Sequence, residues 1–364
     1  MKFRSWSMGL LVAGLTACTT LSLQYAQQKG GEDESGPYEV VTSWPQPLHG
    51  DGWSWGSTAG VWAETPDRVF VFGRGELEAP KGLPGPDGQP KRAAATSLKP
   101  RWEHVLMIFD RSGKLVESWE QHNDKFVRPH RVTINPYDPE KNVWLVDDGA
   151  HQIFKFSGDG KKLLMVLGEK GKPGNDEYHF NRPTDVAFLP NGDFYISDGY
   201  VNTRVAKYNK DGKFLFQWGR PGKGPGEFDL VHSIAIDADN QRVYVADRSN
   251  SRIQIFDLNG KYLDEWDNIR SPFYVALTKD GLVAVADGMI QKILKYDLNG
   301  QLLYSWGTFG SLPGQLWGVH QMSVDSEGNL YVAEVFNGRP QKFRPRSGVN
   351  PAQLLGQTVH SLSR

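Results

Sequence analysis

Three histidines share one local pattern. His130 in "VRPHRVTINP", His232 in "DLVHSIAIDAD" and His320 in "WGVHQMSVDSE" each open a short alternating stretch that runs into a turn. Neutral imidazole is a common ligand for divalent metals. Three imidazoles that meet and leave one position open form the arrangement of a catalytic zinc site, and they also suit other divalent transition metals. A single histidine at a strand mouth reads as a residue that satisfies a turn. Three in one register point instead to an architecture that gathers them. The other histidines (His49, His104, His122, His151, His179 and His360) have no such register.

That architecture is written as a repeat. Residues 130–168, 184–219, 232–266, 273–307 and 320–343 align with one another. Each has a short strand, a turn with Gly or Asn, an apolar strand ending near Asp or Glu, a third alternating strand and a "DLNG"-type turn. A fourth strand often ends in Trp. Short strands between such turns read as four-stranded antiparallel blades, and a period of roughly 40–50 residues reads as a β-propeller. A sixth unit comes earlier, with two strands in 59–75 and two in 104–119. Residues 76–101 between them are Pro/Gly/Lys-rich and read as a surface loop. The last repeat lacks its fourth strand. "YEVVTSW" at 38–44 supplies it, so the ring closes by pairing the N-terminal strand with the final blade, which removes exposed edges. The expectation is an all-β, six-bladed propeller over 37–346, with a tail at 347–364.

The innermost strand of each blade lines a central channel. The histidines open the first strand of blades two, four and six, while Thr184 and Phe273 hold that position in blades three and five. Alternate blades of a six-fold ring are about 120° apart. The three imidazoles are therefore expected to converge on the axis. Asp148, Asp198, Asp247 and Asp287 recur near the end of the second strand, and their recurrence reads as turn capping.

Composition narrows the function. The 364 residues carry 41 Lys+Arg and 42 Asp+Glu, a formal charge of −1. The two signs are interleaved, so nucleic acid is excluded as a partner. A monomer is expected. The single cysteine, Cys18, follows "MKFRSWSMGLLVAGLTA". Its basic start and short apolar core read as a signal peptide over 1–18. "LTAC" resembles a bacterial lipobox, which makes Cys18 a lipidation site. Residues 19–36 read as a flexible tether. The expected location is the bacterial cell envelope, lipid-anchored, on a periplasmic or extracellular face. Membrane contact is then through the N-terminal lipid only.

Phrases such as "YVADRSNSRIQIFDLNGKYL" resemble NHL repeats. "VFVFGRGE", "LMVLGEKGKPGNDEYHFNRPTDV", "ISDGYVNTRV" and the three histidine strands resemble the peptidyl-α-hydroxyglycine α-amidating lyases, over most of 55–345. The resemblance implies a zinc ion held by His130, His232 and His320. It implies Tyr200 of "SDGYVNTR" as the catalytic tyrosine, Arg74 of "FGRGE" as an active-site and substrate-binding arginine, and Arg248 of "ADRSNSR" as a second substrate-binding arginine. It also implies a structural calcium on the backbone carbonyls of Val61 and Val132. The family's Asp after the third histidine is Gln321 here, so this side chain brings one negative charge less to that ion. Two family cysteines are replaced by Asn181 and Val201.

The implied reaction splits a peptidyl- or N-acyl-α-hydroxyglycine into an amide and glyoxylate. Its partner is thus a peptide or small molecule ending in an α-hydroxyglycine-like group. Two other readings remain open from the residues alone. One is a non-catalytic NHL propeller that binds a partner as a scaffold lipoprotein. The other is a metal-dependent propeller hydrolase, although such enzymes hold calcium with Asp, Glu and Asn, which three channel histidines fit poorly.

Overall fold

The computed structural model describes residues 36–48, 53–78, 100–359 and 361–362. Cys18, the signal peptide and the tether lie outside the described residues. Six blades of four antiparallel strands follow one another around a ring, two of them extended by a fifth strand. Their inner strands are Thr58–Thr65, Pro129–Ile134, Pro183–Phe188, Val231–Asp237, Pro272–Thr278 and Val319–Val324. Each inner strand touches the next, and the last returns to the first. The protein is a six-bladed β-propeller. Tyr38–Val40 closes it by pairing antiparallel with Arg339–Pro345, with Val40 opposite Phe343.

The blades are held by apolar packing between neighbouring sheets. The core includes Tyr244, Ile255, Trp266, Val275, Val285 and Tyr296, which join blades four and five. Each fully buried large side chain contributes about 1.5–3 kcal/mol, so every interface rests on several such terms. The outer-strand tryptophans act as latches. A Cβ on Gly260 would meet Trp218 of the preceding blade at 2.7 Å, and one on Gly300 would meet Trp266 at 2.5 Å. These glycines also sit at φ +80° and +81°, where a side chain is strained. The "DLNG" turn is therefore both a turn and a slot for the neighbour's indole.

Two segments differ from expectation. The start of the expected loop at 76–101 is ordered into a strand, Glu76–Glu78, paired with Trp53–Trp55. The C-terminal segment is not a loose tail. Thr358–Val359 pairs antiparallel with the inner strand of blade five, and Ser361–Leu362 pairs parallel with that of blade four. These short pieces cap sheet ends that the channel would otherwise leave unpaired.

One detail of the ladders positions the site. In all six blades the register between the first two strands slips at the second residue of the inner strand. The slipped residues are Ala59, His130, Thr184, His232, Phe273 and His320. A bulge re-aims its side chain and leaves its backbone groups outside the ladder. Here six bulges form one tier around the channel.

Candidate active site

The three histidines converge as blade alternation requires. Their ring centroids are 5.0 Å (His130–His232), 4.5 Å (His130–His320) and 4.9 Å (His232–His320) apart, nearly an equilateral triangle. All three are buried. Each Nδ1 bonds to the bulge carbonyl of the next blade: His130 to Thr184 at 2.6 Å, His232 to Phe273 at 2.6 Å and His320 to Ala59 at 2.7 Å. A carbonyl accepts only, so each Nδ1 carries the hydrogen. The bulges thus do two things at once. They aim three imidazoles inward and present the carbonyls that fix the tautomers.

The Nε2 lone pairs then face one another. Burial, followed by neighbouring positive groups, pushes the histidines well below the usual imidazole range. They are neutral. The Tyr200 hydroxyl lies 3.1 Å from His130 Nε2 and 3.0 Å from His232 Nε2. One O–H can donate to only one of these acceptors at a time. His320 Nε2 is buried with no hydrogen-bond partner among the described residues. Three lone pairs therefore share a single hydrogen, an arrangement that a cation would satisfy. The ligand atoms lie within 4.8 Å of one another, and the set fits a three-histidine metal site with Tyr200 beside the open position.

Four arginines gather around Tyr200. Arg182, Arg248 and Arg128 have their guanidinium carbons 4.5, 5.4 and 5.5 Å from its ring centroid. Arg74 Nε donates to the carbonyl of Pro129, next to His130, at 2.9 Å. Its Nη2 is buried without a hydrogen-bond partner among the described residues. Burial first, then the Arg128 charge, pulls the Arg74 guanidinium down to about 10, so it stays charged at neutral pH. Arg128 and Arg182 share one buried carboxylate, Asp148, at 2.6 Å each. Arg74 and Arg248 have no carboxylate partner among the described residues. Arg248 instead lies over Phe273, 4.7 Å from its centroid.

Sequence reasoning missed Arg128 and Arg182, yet a signal existed. Each directly precedes the proline that opens an inner strand, in "RPH" and "RPT". The Asp148 reading is also corrected, by one residue. The capping carboxylate of blade two is Asp147, which accepts from the backbone N–H of Val127, Arg128 and Ala150. Asp198, Asp247 and Asp287 take the same role in later blades. Asp148 is free to hold the arginines.

Val61, Val132 and Gln321 come together, but not as a calcium site. Gln321 Nε2 donates to the Val132 carbonyl at 2.8 Å, and its Oε1 accepts from Val61 N at 3.2 Å. The two backbone groups fix which end of the amide is which. A donor thus occupies the Val132 oxygen that calcium would need. These residues do not fit the ion.

Comparison with known proteins agrees with this fold. A protein-family model described as a six-bladed β-propeller matches residues 173–276. Peptidyl-α-hydroxyglycine α-amidating lyase 1 of Drosophila melanogaster is 32% identical over 69% of this chain and 50% of its own length. A probable lyase of the same kind from Caenorhabditis elegans is 37% identical over 42% of this chain and 43% of its own. The chain is a homologue of these lyases. It is equally a homologue of NHL repeat-containing protein 3 of Mus musculus, at 34% identity over 48% of the chain and 53% of the relative. Peptidyl-glycine α-amidating monooxygenase B of Xenopus laevis is 38% identical, but the match spans 17% of its length. The chain thus covers about half, or much less, of the curated relatives it matches. Among solved structures, streptogramin B lyase shares the fold with a TM-score of 0.52 at 15% identity, over 85% of this chain and 97% of that one.

Proposed function

We propose that the protein is a metal-dependent lyase that cleaves the C–N bond of a peptidyl- or N-acyl-α-hydroxyglycine, releasing an amide and glyoxylate. The observation that carries the reading is the Tyr200 hydroxyl, held against two Nε2 atoms of a three-histidine cluster that lacks hydrogens to satisfy it. The names of the homologous lyases support it.

His130, His232 and His320 would hold zinc. A zinc ion there supplies a Lewis acid that lowers the pKa of a nearby hydroxyl. The other tasks fall to residues of this chain. Arg74, with its unpartnered Nη2, pairs with the carboxylate of the hydroxyglycine. Arg248, beside the rings of Tyr200 and Phe273, assists and bounds the site. Tyr200, in its phenolate form, would take the carbinol proton as general base. The carbinol oxygen becomes the aldehyde oxygen of glyoxylate, the C–N electron pair leaves with the nitrogen, and that nitrogen gains the proton. Protons and charge balance without a further reactant. The arginines around Tyr200 stabilise the negative charge of the bound carboxylate.

The N-terminal Cys18 lipobox would tether this activity to a bacterial envelope membrane. Incubating metal-loaded protein with α-hydroxyhippurate tests the reading. Equal yields of benzamide and glyoxylate are expected. Bound metal without glyoxylate would favour a non-catalytic binding role.

A further inference from the structure

The residues that follow the six bulges form a second tier, one step deeper in the channel. They are Gly60, Arg131, Asp185, Ser233, Tyr274 and Gln321. The side chains of Arg131 and Asp185 are fully buried, with Arg131 Nε 3.4 Å from Asp185 Oδ1. Ser233 Oγ donates to the other carboxylate oxygen at 2.6 Å. From blade two, Arg131 spans the channel. Its Nη1 donates to the carbonyl of His320 at 2.7 Å and its Nη2 to that of His232 at 3.4 Å. Its guanidinium carbon lies 4.9 Å from the centre of the Tyr274 ring.

The pattern of carbonyls gives this arginine a role. Six bulges free six backbone carbonyls. Three of them, on blades one, three and five, accept from the histidine Nδ1 atoms. Two of the remaining three belong to His232 and His320 themselves, and both accept from Arg131. One guanidinium therefore fixes the backbone of two of the three histidines. The Gln321 amide spans Val61 and Val132 beside it and, through a hydrogen bond with Tyr274, joins the same network. Gly60 leaves the room: a Cβ there would stand 3.2 Å from Gln321 Oε1 and 3.0 Å from Val132.

We propose that Arg131 is the resident structural cation of the channel, positioning His232 and His320 through their carbonyls, so that the histidine centre forms without calcium. A permanent charge held by Asp185 and by inward carbonyls does what a divalent ion would otherwise do. Gln321 is the neutral companion this needs, since a second cation beside Arg131 would be repelled. Arg131 is thus a positioning residue. The inference rests on the three-histidine metal reading but not on the lyase assignment.

The test uses the full chain, stripped of metal and titrated with Co2+, read by visible absorption rather than turnover. Wild type is expected to bind Co2+ equally well with or without millimolar CaCl2, to keep its Tm on CaCl2 addition and to retain no calcium after dialysis. Arg131→Met is expected to weaken Co2+ binding by about tenfold or more, the usual effect of losing an outer-shell support, and Arg131→Lys to recover part of it. A rise in wild-type Tm with CaCl2, or stoichiometric calcium, would overturn the proposal. So would a folded Arg131→Met protein with wild-type Co2+ affinity. If Arg131→Met does not fold, the wild-type calcium measurements and Arg131→Lys decide. Failure of wild type to bind Co2+ at all would instead sink the metal reading. The Tm response to calcium would then still decide, separately, for or against Arg131 as the channel's cation.

Discussion

The two tiers of the channel are neighbours in sequence and opposites in chemistry. The upper tier, with His130, His232 and His320, ends in lone pairs that the protein does not satisfy. The lower tier, with Arg131, Asp185 and Gln321, pairs its charges internally, with only Arg131 Nε left without a hydrogen bond among these residues. Each upper residue is followed immediately by its lower counterpart, so a strand changes from site to foundation in one step. The difference separates two kinds of burial. The upper tier gives up stability to leave a cation position open. The lower tier uses a buried ion pair, which is costly to desolvate and costlier to break, to fix the position of that opening.

The comparison can be broken from either side. The largest effect is expected from His232→Ala. It should abolish tight metal binding and turnover while far-UV circular dichroism and Tm stay near wild type, because the blades are held by apolar packing and not by the ligands. Cooperative unfolding of this variant at ambient temperature would mean that the upper tier is structural after all. Tyr200→Phe should keep the metal and lower kcat by about 10²–10⁴-fold, the range for losing a general base. Metal content and kcat measured together would check this.

Asp185→Ala attacks the foundation. Removing one partner of a buried pair costs about 3–5 kcal/mol, so a large drop in the urea midpoint is expected. An unchanged midpoint would deny the lower tier its role. Arg74→Lys leaves both tiers intact. It should raise KM for α-hydroxyhippurate by about 10–100-fold, since an ammonium cannot form the paired contact of a guanidinium. The smallest effect belongs outside the channel. His104 bonds to the buried Glu76 at 2.7 Å, and that bond holds its imidazole above the usual range. Its stabilising contribution is full at pH below the unfolded imidazole value and fades as pH rises through the raised one. His104→Ala should therefore cost about 1–2 kcal/mol in mild acid and less in mild alkali, read from denaturation at several pH values.

Much of this was legible in the chain. The strand repeat, the Trp-ended outer strands and the orphan "YEVVTSW" define a closed six-fold ring, because hydrophobic period and turn chemistry are local properties. The alternation of His130, His232 and His320 with Thr184 and Phe273 predicts convergence from symmetry alone. The bulges were not legible. A bulge at the second residue of a strand has only one residue before it, too few to show the break in alternation, yet it aims the histidines and frees the carbonyls they bind. For the same reason Arg131 reads as an ordinary strand residue in "PHRVTI". Its role depends on carbonyls two blades away on either side of the ring. Asp147 and Asp148 are adjacent, and only the backbone path decides which of them caps the turn and which holds Arg128 and Arg182. Thr358–Val359 and Ser361–Leu362 are too short to announce themselves as strands, since their partners supply the order.

On the proposed function, three imidazoles, short of hydrogens, would hold one metal ion beside Tyr200 in a centre that releases glyoxylate. The direct measurement is a zinc titration of metal-stripped protein, followed by glyoxylate release from α-hydroxyhippurate. The account predicts activity that rises linearly and stops at one equivalent of zinc. Full occupancy at one equivalent with no glyoxylate would contradict it.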